Sequence, residues 1–184
     1  MRIVVVEDNE LYRDELLECL EQEESDIEII GSAANGARGL ALVEKLVWEK
    51  AGPDVIFTDI RMSEMDGFEM IEALQKRKIS CKIVITSSCP EFLYAKRAME
   101  LGAVDFLVKP LKTYEVRNVL RRLRRELESE KKWKHILNLD YIFPNAMAGK
   151  LKDDLQIKEL IKEGYGIAPD ERDWRSGNRH GLKL

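Results

Sequence analysis

Arg2-Ile3-Val4-Val5-Val6-Glu7-Asp8-Asn9 is the stretch whose reading decides the fold. Ile3 to Val6 are all β-branched and show no apolar-polar alternation, the pattern of a strand covered on both faces. The run stops abruptly at two carboxylates, so the strand delivers acidic groups to its carboxyl end. Further apolar runs follow at Ile27 to Ser32, Val55 to Thr58, Lys82 to Thr86 and Asp105 to Val108. Amphipathic segments separate them: Leu11, Leu16, Leu17 and Leu20, then Leu40, Leu42, Val43 and Leu46, then Phe68, Ile71 and Leu74, then Phe92 to Leu101. Parallel strands need a helix-sized excursion between them, and that excursion is right-handed. The expected architecture is therefore α/β, a (βα)5 doubly wound parallel sheet of flavodoxin-like type with a helical C-terminal extension. Gly52-Pro53, Asp66-Gly67 and Gly102 fall where turns are required.

After Pro110 a fifth helix begins, with Val116, Leu120, Leu123 and Leu127 on one stripe and Arg117, Arg121, Arg122, Arg124 and Arg125 around the rest. The expected division is a first domain over residues 1 to 126 and a helical linker or truncated output region, partly disordered, over 127 to 184. A second amphipathic stretch is read at Leu155 to Ile161, and the residues from Asp170 onward as loosely ordered.

With 45% hydrophobic residues over 184 positions, a sizeable core is available. Charge is unevenly spread: residues 1 to 112 carry 14 basic and 22 acidic side chains, and the remainder 16 basic and 12 acidic. An acidic front argues against a nucleic-acid surface there, and the arginine stripe is expected to be a solvated helix face with Arg-Glu pairs, not a reader of DNA sequence. Cys19, Cys81 and Cys89 form no CxxC pair and are read as reduced, mostly buried thiols. Ile3 to Val6 is too short for a signal-peptide core, and no stretch reaches the length of a membrane span, so the expected location is cytoplasmic with no membrane partner.

In an open doubly wound sheet, ligands bind at the carboxyl ends of the strands. Those ends carry Glu7 and Asp8, then Asp59, then Ser87, then Lys109. Taken singly, each has a bland reading: Glu7-Asp8-Asn9 as a helix cap, Ser87 as one polar residue of the Thr86-Ser87-Ser88 turn, Lys109 as a solvated lysine before a proline. Their joint placement favours chemistry. Carboxylates brought about 4 Å apart repel by roughly 4 kcal/mol per pair at an intermediate dielectric, so they call for a cation. Mg2+, which takes oxygen ligands and bridges carboxylates to phosphoryl groups, answers that need.

The sequence resembles the receiver domains of bacterial response regulators, CheY-like, over roughly residues 1 to 125. The resemblance is carried by Ile3 through Asn9, by Asp59-Ile60-Arg61-Met62 with Met65-Asp66-Gly67, and by Gly102 through Pro110. It implies that Asp59 is the nucleophile and phosphorylation site, that Glu7, Asp8, Asp59 and the backbone carbonyl of Arg61 hold Mg2+, and that Lys109 pairs with the phosphoryl oxygens. It implies also that Ser87 is the switch hydroxyl, placed by spacing back from Lys109, and that Phe106 is the aromatic that changes rotamer with it. A cis bond between Lys109 and Pro110 is expected on the same ground. Ser63 and Glu64 depart from the family, which often has a proline beside a small residue in the loop after the aspartate.

The function so implied is that of a response regulator in a two-component phosphorelay. A sensor histidine kinase would be the donor, and transcriptional regulation the output. The remodelled face of the fourth helix, fifth strand and fifth helix would be the route for a homodimer. A stand-alone receiver acting through protein contacts is the alternative. Beyond its own phosphorylation and dephosphorylation, no enzymatic turnover is expected. An aspartyl-phosphate hydrolase usually needs a second Asp two residues after the first, where this chain has Arg61, and a flavodoxin-like binding module lacks its Gly-rich loop here. The run from Gly149 to Gly164 resembles the segment that follows the receiver in regulators with AraC-type ends. No helix-turn-helix pair can be placed before Leu184.

Overall fold

The computed structural model describes residues 1–22 and 26–136. Ten elements alternate along them: β1 (Arg2–Val6), α1 (Glu10–Glu21), β2 (Glu28–Ala33), α2 (Gly36–Trp48), β3 (Val55–Asp59), α3 (Gly67–Lys76), β4 (Lys82–Ser87), α4 (Phe92–Glu100), β5 (Asp105–Val108) and α5 (Thr113–Ile136). All strands are parallel, in the order β2-β1-β3-β4-β5. The expected doubly wound sheet is thus the observed one.

Continuous apolar runs make this sheet because each inner strand serves two cores at once. Ile3, Val5, Val55, Phe57 and Val84 enter a cluster with Leu16 and Leu20 of α1 and Val116, Leu120 and Leu123 of α5. Their neighbours Val4, Val6, Ile56, Ile83 and Ile85 enter a second cluster with Leu40 and Val43 of α2, Ile71 and Leu74 of α3 and Ala98 of α4. Successive side chains point to opposite faces of a strand, so an uninterrupted hydrophobic run is what a sheet sandwiched between helices requires.

Two expectations are corrected here. The second strand is not covered on both faces: none of its residues is buried, because it lies at the sheet edge, and its register with β1 slips between Ile3 and Val4. Leu11 does not share the buried stripe of α1. It lies about 140° around the helix from Leu16 at 3.6 residues per turn, and it is 73% exposed.

The three cysteines are free and partly buried. Burial pushes the Cys81 thiol up to about 11. Two arginines of α5, Arg122 and Arg124, pair across the molecule. Arg124 grips Asp26 through two bonds of 2.8 and 2.7 Å and Arg122 reaches Asp105 at 2.6 Å, with Arg122 to Glu126, at 3.9 Å, as a contact along the helix. The chain divides into compact units at Met1–Leu127 and Glu128–Leu184. The amphipathic stretch read at Leu155 to Ile161, and the segment from Asp170, lie outside the described residues.

Candidate phosphoryl site

Reversal of strand order between β1 and β3 opens a crevice at their carboxyl ends. β1 continues directly into Glu7 and Asp8, while β3 ends on Asp59. Pairing of β1 with β3, Val6 beside Thr58, brings the two acidic ends level. One carboxylate oxygen from each of Glu7, Asp8 and Asp59 comes within 4.8 Å of the others. Glu7 and Asp59 are buried and Asp8 is exposed.

Asn9, not the acidic pair, caps α1, its side-chain oxygen accepting from the Tyr12 amide at 3.2 Å. The two carboxylates are thereby left for other work. Glu7 is held by its surroundings, the Asn9 amide donating to Oε1 at 3.3 Å and the Arg13 guanidinium to the Glu7 carbonyl at 3.0 Å. Asp59 accepts at Oδ1 from the Ile60 amide at 2.6 Å.

Lys109 crosses the crevice from β5. Its Nζ donates to Glu7 Oε2 at 2.5 Å and to Asp59 Oδ2 at 2.9 Å, and its side chain is 2% exposed. A single ammonium faces three carboxylates, so negative charge remains in excess. Burial pushes the Glu7 carboxyl above the usual carboxylate range and the Asp59 charge adds to the rise, which the hydrogen bond from Lys109 only partly offsets. Such a set of hard oxygen donors fits a small divalent cation such as Mg2+. The Lys109-Pro110 bond is cis.

Ser87 ends β4, buried, and its carbonyl accepts from the Lys109 amide at 2.9 Å. Its hydroxyl accepts from the Cys89 amide at 3.1 Å. Phe106 is half-buried on β5 and packs against the core shared by α2, α3 and α4. Arg61 is exposed, its guanidinium donating to the Tyr94 hydroxyl at 2.9 Å and lying 5.5 Å over that ring. The unusual Ser63-Glu64 pair is accommodated by a left-handed turn, with Glu64 at φ 64°.

Three further residues have a part in this geometry that their sequence positions did not specify. Gly67, which the sequence offers as turn punctuation and as part of the resemblance, starts α3 against the Asp59 carbonyl, too close for any Cβ. Arg13 and Tyr12 lie on α1 and contact Glu7 and Lys109, respectively. Helical periodicity could assign each a face but not a neighbour.

The family model described as the response regulator receiver domain matches residues 3–121. Transcriptional regulatory protein BtsR of Escherichia coli is 36% identical over 126 residues, covering 68% of this chain and 49% of its own length. Transcriptional regulatory protein LiaR of Bacillus subtilis is 31% identical over 169 residues, covering 89% of this chain and 77% of its own. Among solved structures, the response regulatory domain of protein mrkE from Klebsiella pneumoniae superposes with a TM-score of 0.61 at 28% identity, covering 70% of this chain and 99% of that one. The chain thus spans about half the length of BtsR.

Proposed function

This chain belongs to the response regulator receiver domain family, and from that premise we propose that Asp59 accepts a phosphoryl group from a phosphohistidine of a sensor histidine kinase. The observation that carries the reading is the buried Lys109 ammonium bridging Glu7 and Asp59 at the mouth of an acidic cluster.

Asp59 keeps Oδ1 engaged by the Ile60 amide, which orients the carboxylate and leaves Oδ2 to attack phosphorus. As the O–P bond forms, the P–N bond breaks and the imidazole nitrogen leaves with its electron pair, to be reprotonated from solvent. Lys109 moves one N–H from the carboxylate to a phosphoryl oxygen. Glu7, Asp8 and Asp59, with the Arg61 carbonyl, would hold Mg2+, which when bound supplies positive charge to offset that of the transferring group.

The acyl phosphate then competes with the Cys89 carbonyl for the Ser87 hydroxyl, which otherwise donates to that carbonyl at 3.5 Å. Movement of Ser87 makes room for Phe106 and remodels the face of α4, β5 and α5. That face exposes Phe92, Leu93, Met99, Val108 and Tyr114, which supports its use in partner binding, homodimerisation included. Residues 1 to 126 are assigned to the receiver and 127 to 184 to the linker or output region that follows it, of which 137 to 184 lie outside the described residues. Output is assigned to transcriptional regulation, as the names of BtsR and LiaR suggest for those proteins. Base-specific DNA reading is not assigned to this chain itself, nor turnover of any substrate other than its own phosphoryl group. No described helix is long and apolar enough to cross a membrane, which is compatible with a cytoplasmic site of action.

Intact-mass measurement after incubation with acetyl phosphate and Mg2+ tests the proposal. Addition of one phosphoryl group is expected in the wild-type chain and none in Asp59→Asn; labelling of that variant would overturn the assignment. Mg2+ alone should raise the thermal midpoint of the wild-type chain, and Asp8→Ala should remove most of the rise.

A further inference from the structure

We propose that Tyr12 is a positioning residue for Lys109, its ring closing the remaining side of the buried ammonium and keeping it aligned for the phosphoryl group; this rests on the assignment of Asp59 as acceptor. A lysine ammonium has three N–H donors. On Lys109 two of them point at Glu7 Oε2 and Asp59 Oδ2. With the side chain 2% exposed, water has little access to satisfy the third. Nζ lies 4.6 Å from the centroid of the Tyr12 ring, well inside the range of a cation–π contact.

The frame that places the ring is the same one that places the carboxylates. Asn9 donates its amide to Glu7, and its side-chain oxygen accepts from the amide of Tyr12 itself. Arg13, the next residue, donates to the Glu7 carbonyl. Tyr12 is therefore tied to the acidic loop on both sides. On α1 it heads the stripe formed with Leu16 and Leu20, one turn apart each, whose lower members are buried in the core. Where that stripe leaves the core it meets the crevice, and there an aromatic stands in place of a leucine.

Such a contact suits the step in which Lys109 exchanges partners. A hydrogen bond to a carboxylate must break for the ammonium to turn toward a phosphoryl oxygen. The attraction to a ring face does not depend on which N–H points at it, so it persists through the exchange. Plain packing of an apolar stripe is the competing account, and it predicts that leucine serves equally well.

The two accounts separate in a series at position 12 of the full chain. The Lys109 ε-methylene protons, assigned by their loss in Lys109→Arg, should resonate upfield through the ring current, without any phosphodonor present. Tyr12→Phe should keep that shift and the phosphorylation rate to within about twofold, while Tyr12→Leu should lose the shift and slow acetyl phosphate labelling by roughly five- to thirtyfold. Mg2+ affinity should be unchanged in both. Phenylalanines bearing one to three ring fluorines hold the shape and weaken the ring's negative face, so labelling should slow stepwise with fluorine number. A flat fluorine series, or wild-type rates in Tyr12→Leu, would overturn the proposal. Absence of any labelling in the wild-type chain would instead defeat the reading of Asp59; the ring-current shift would still decide whether Tyr12 faces Lys109.

Discussion

At the scale of single residues, the crevice depends on close approaches that only small or well-held groups permit. Gly67 donates its amide to the Ile60 carbonyl at 2.9 Å while its Cα lies against the Asp59 carbonyl. A Cβ there would strike backbone, which cannot swing aside as a flexible side chain could. Gly67→Ala is expected to cost about 1–3 kcal/mol in urea unfolding and to slow phosphorylation by displacing the end of β3. An unchanged midpoint would show that the loop absorbs the methyl group. Asp66-Gly67 is legible in sequence as a turn; the need for glycine specifically is a matter of distance to a strand and is not.

Among the elements, α3 shows how a local signal and a tertiary one meet at one position. Asp66 caps its N-terminus, accepting from the Glu69 amide at 2.7 Å, and Glu69 Oε2 accepts from the Asp66 amide at 2.9 Å. This reciprocal pair fixes where the helix starts, and hence the length of the loop from Asp59. Asp66→Ala should lower stability by about 1 kcal/mol, read as a shift of the urea midpoint at constant slope. α5 carries the opposite lesson. Its leucine stripe follows from helical spacing, whereas Arg122 and Arg124 also bond across space to Asp105 and Asp26, on β5 and beside β2.

For the molecule as a whole, that Asp26–Arg124 pair ties α5 to the segment before β2, 98 residues away along the chain, and makes stability depend on pH. Hydrogen bonding to Arg124 holds the Asp26 carboxyl below its ordinary value of 3.8. A depressed carboxylate contributes stability above its unfolded value and loses it as pH falls through the folded one. The pair is partly exposed, so the contribution at neutral pH should be about 0.5–1 kcal/mol. Thermal midpoints of the wild-type chain and Asp26→Asn should therefore differ near pH 7 and converge as pH drops below about 3.8. A gap that persists at low pH would place the effect elsewhere than in this ion pair.

What the sequence determined by itself is whatever depends on neighbours along the chain. Ile3 to Val6 needs cover on two faces wherever it is placed, and Glu7, Asp8, Asp59 and Lys109 end up at strand ends because the apolar runs stop beside them. The alternation of strands and helices and the parallel sheet follow from those runs and the helix-sized connections between them, whereas the order β2-β1-β3-β4-β5 is known from the structure. Tertiary structure decided what depends on neighbours across space. Leu11 is exposed and Leu16 buried although both are leucines of one helix, since only one faces the sheet. The second strand is left half-covered because it lies at an edge, which no property of its own residues announces. Tyr12 meets the Lys109 ammonium because α1 and β5 bring their ends to one crevice, a consequence of chain folding that local periodicity cannot encode.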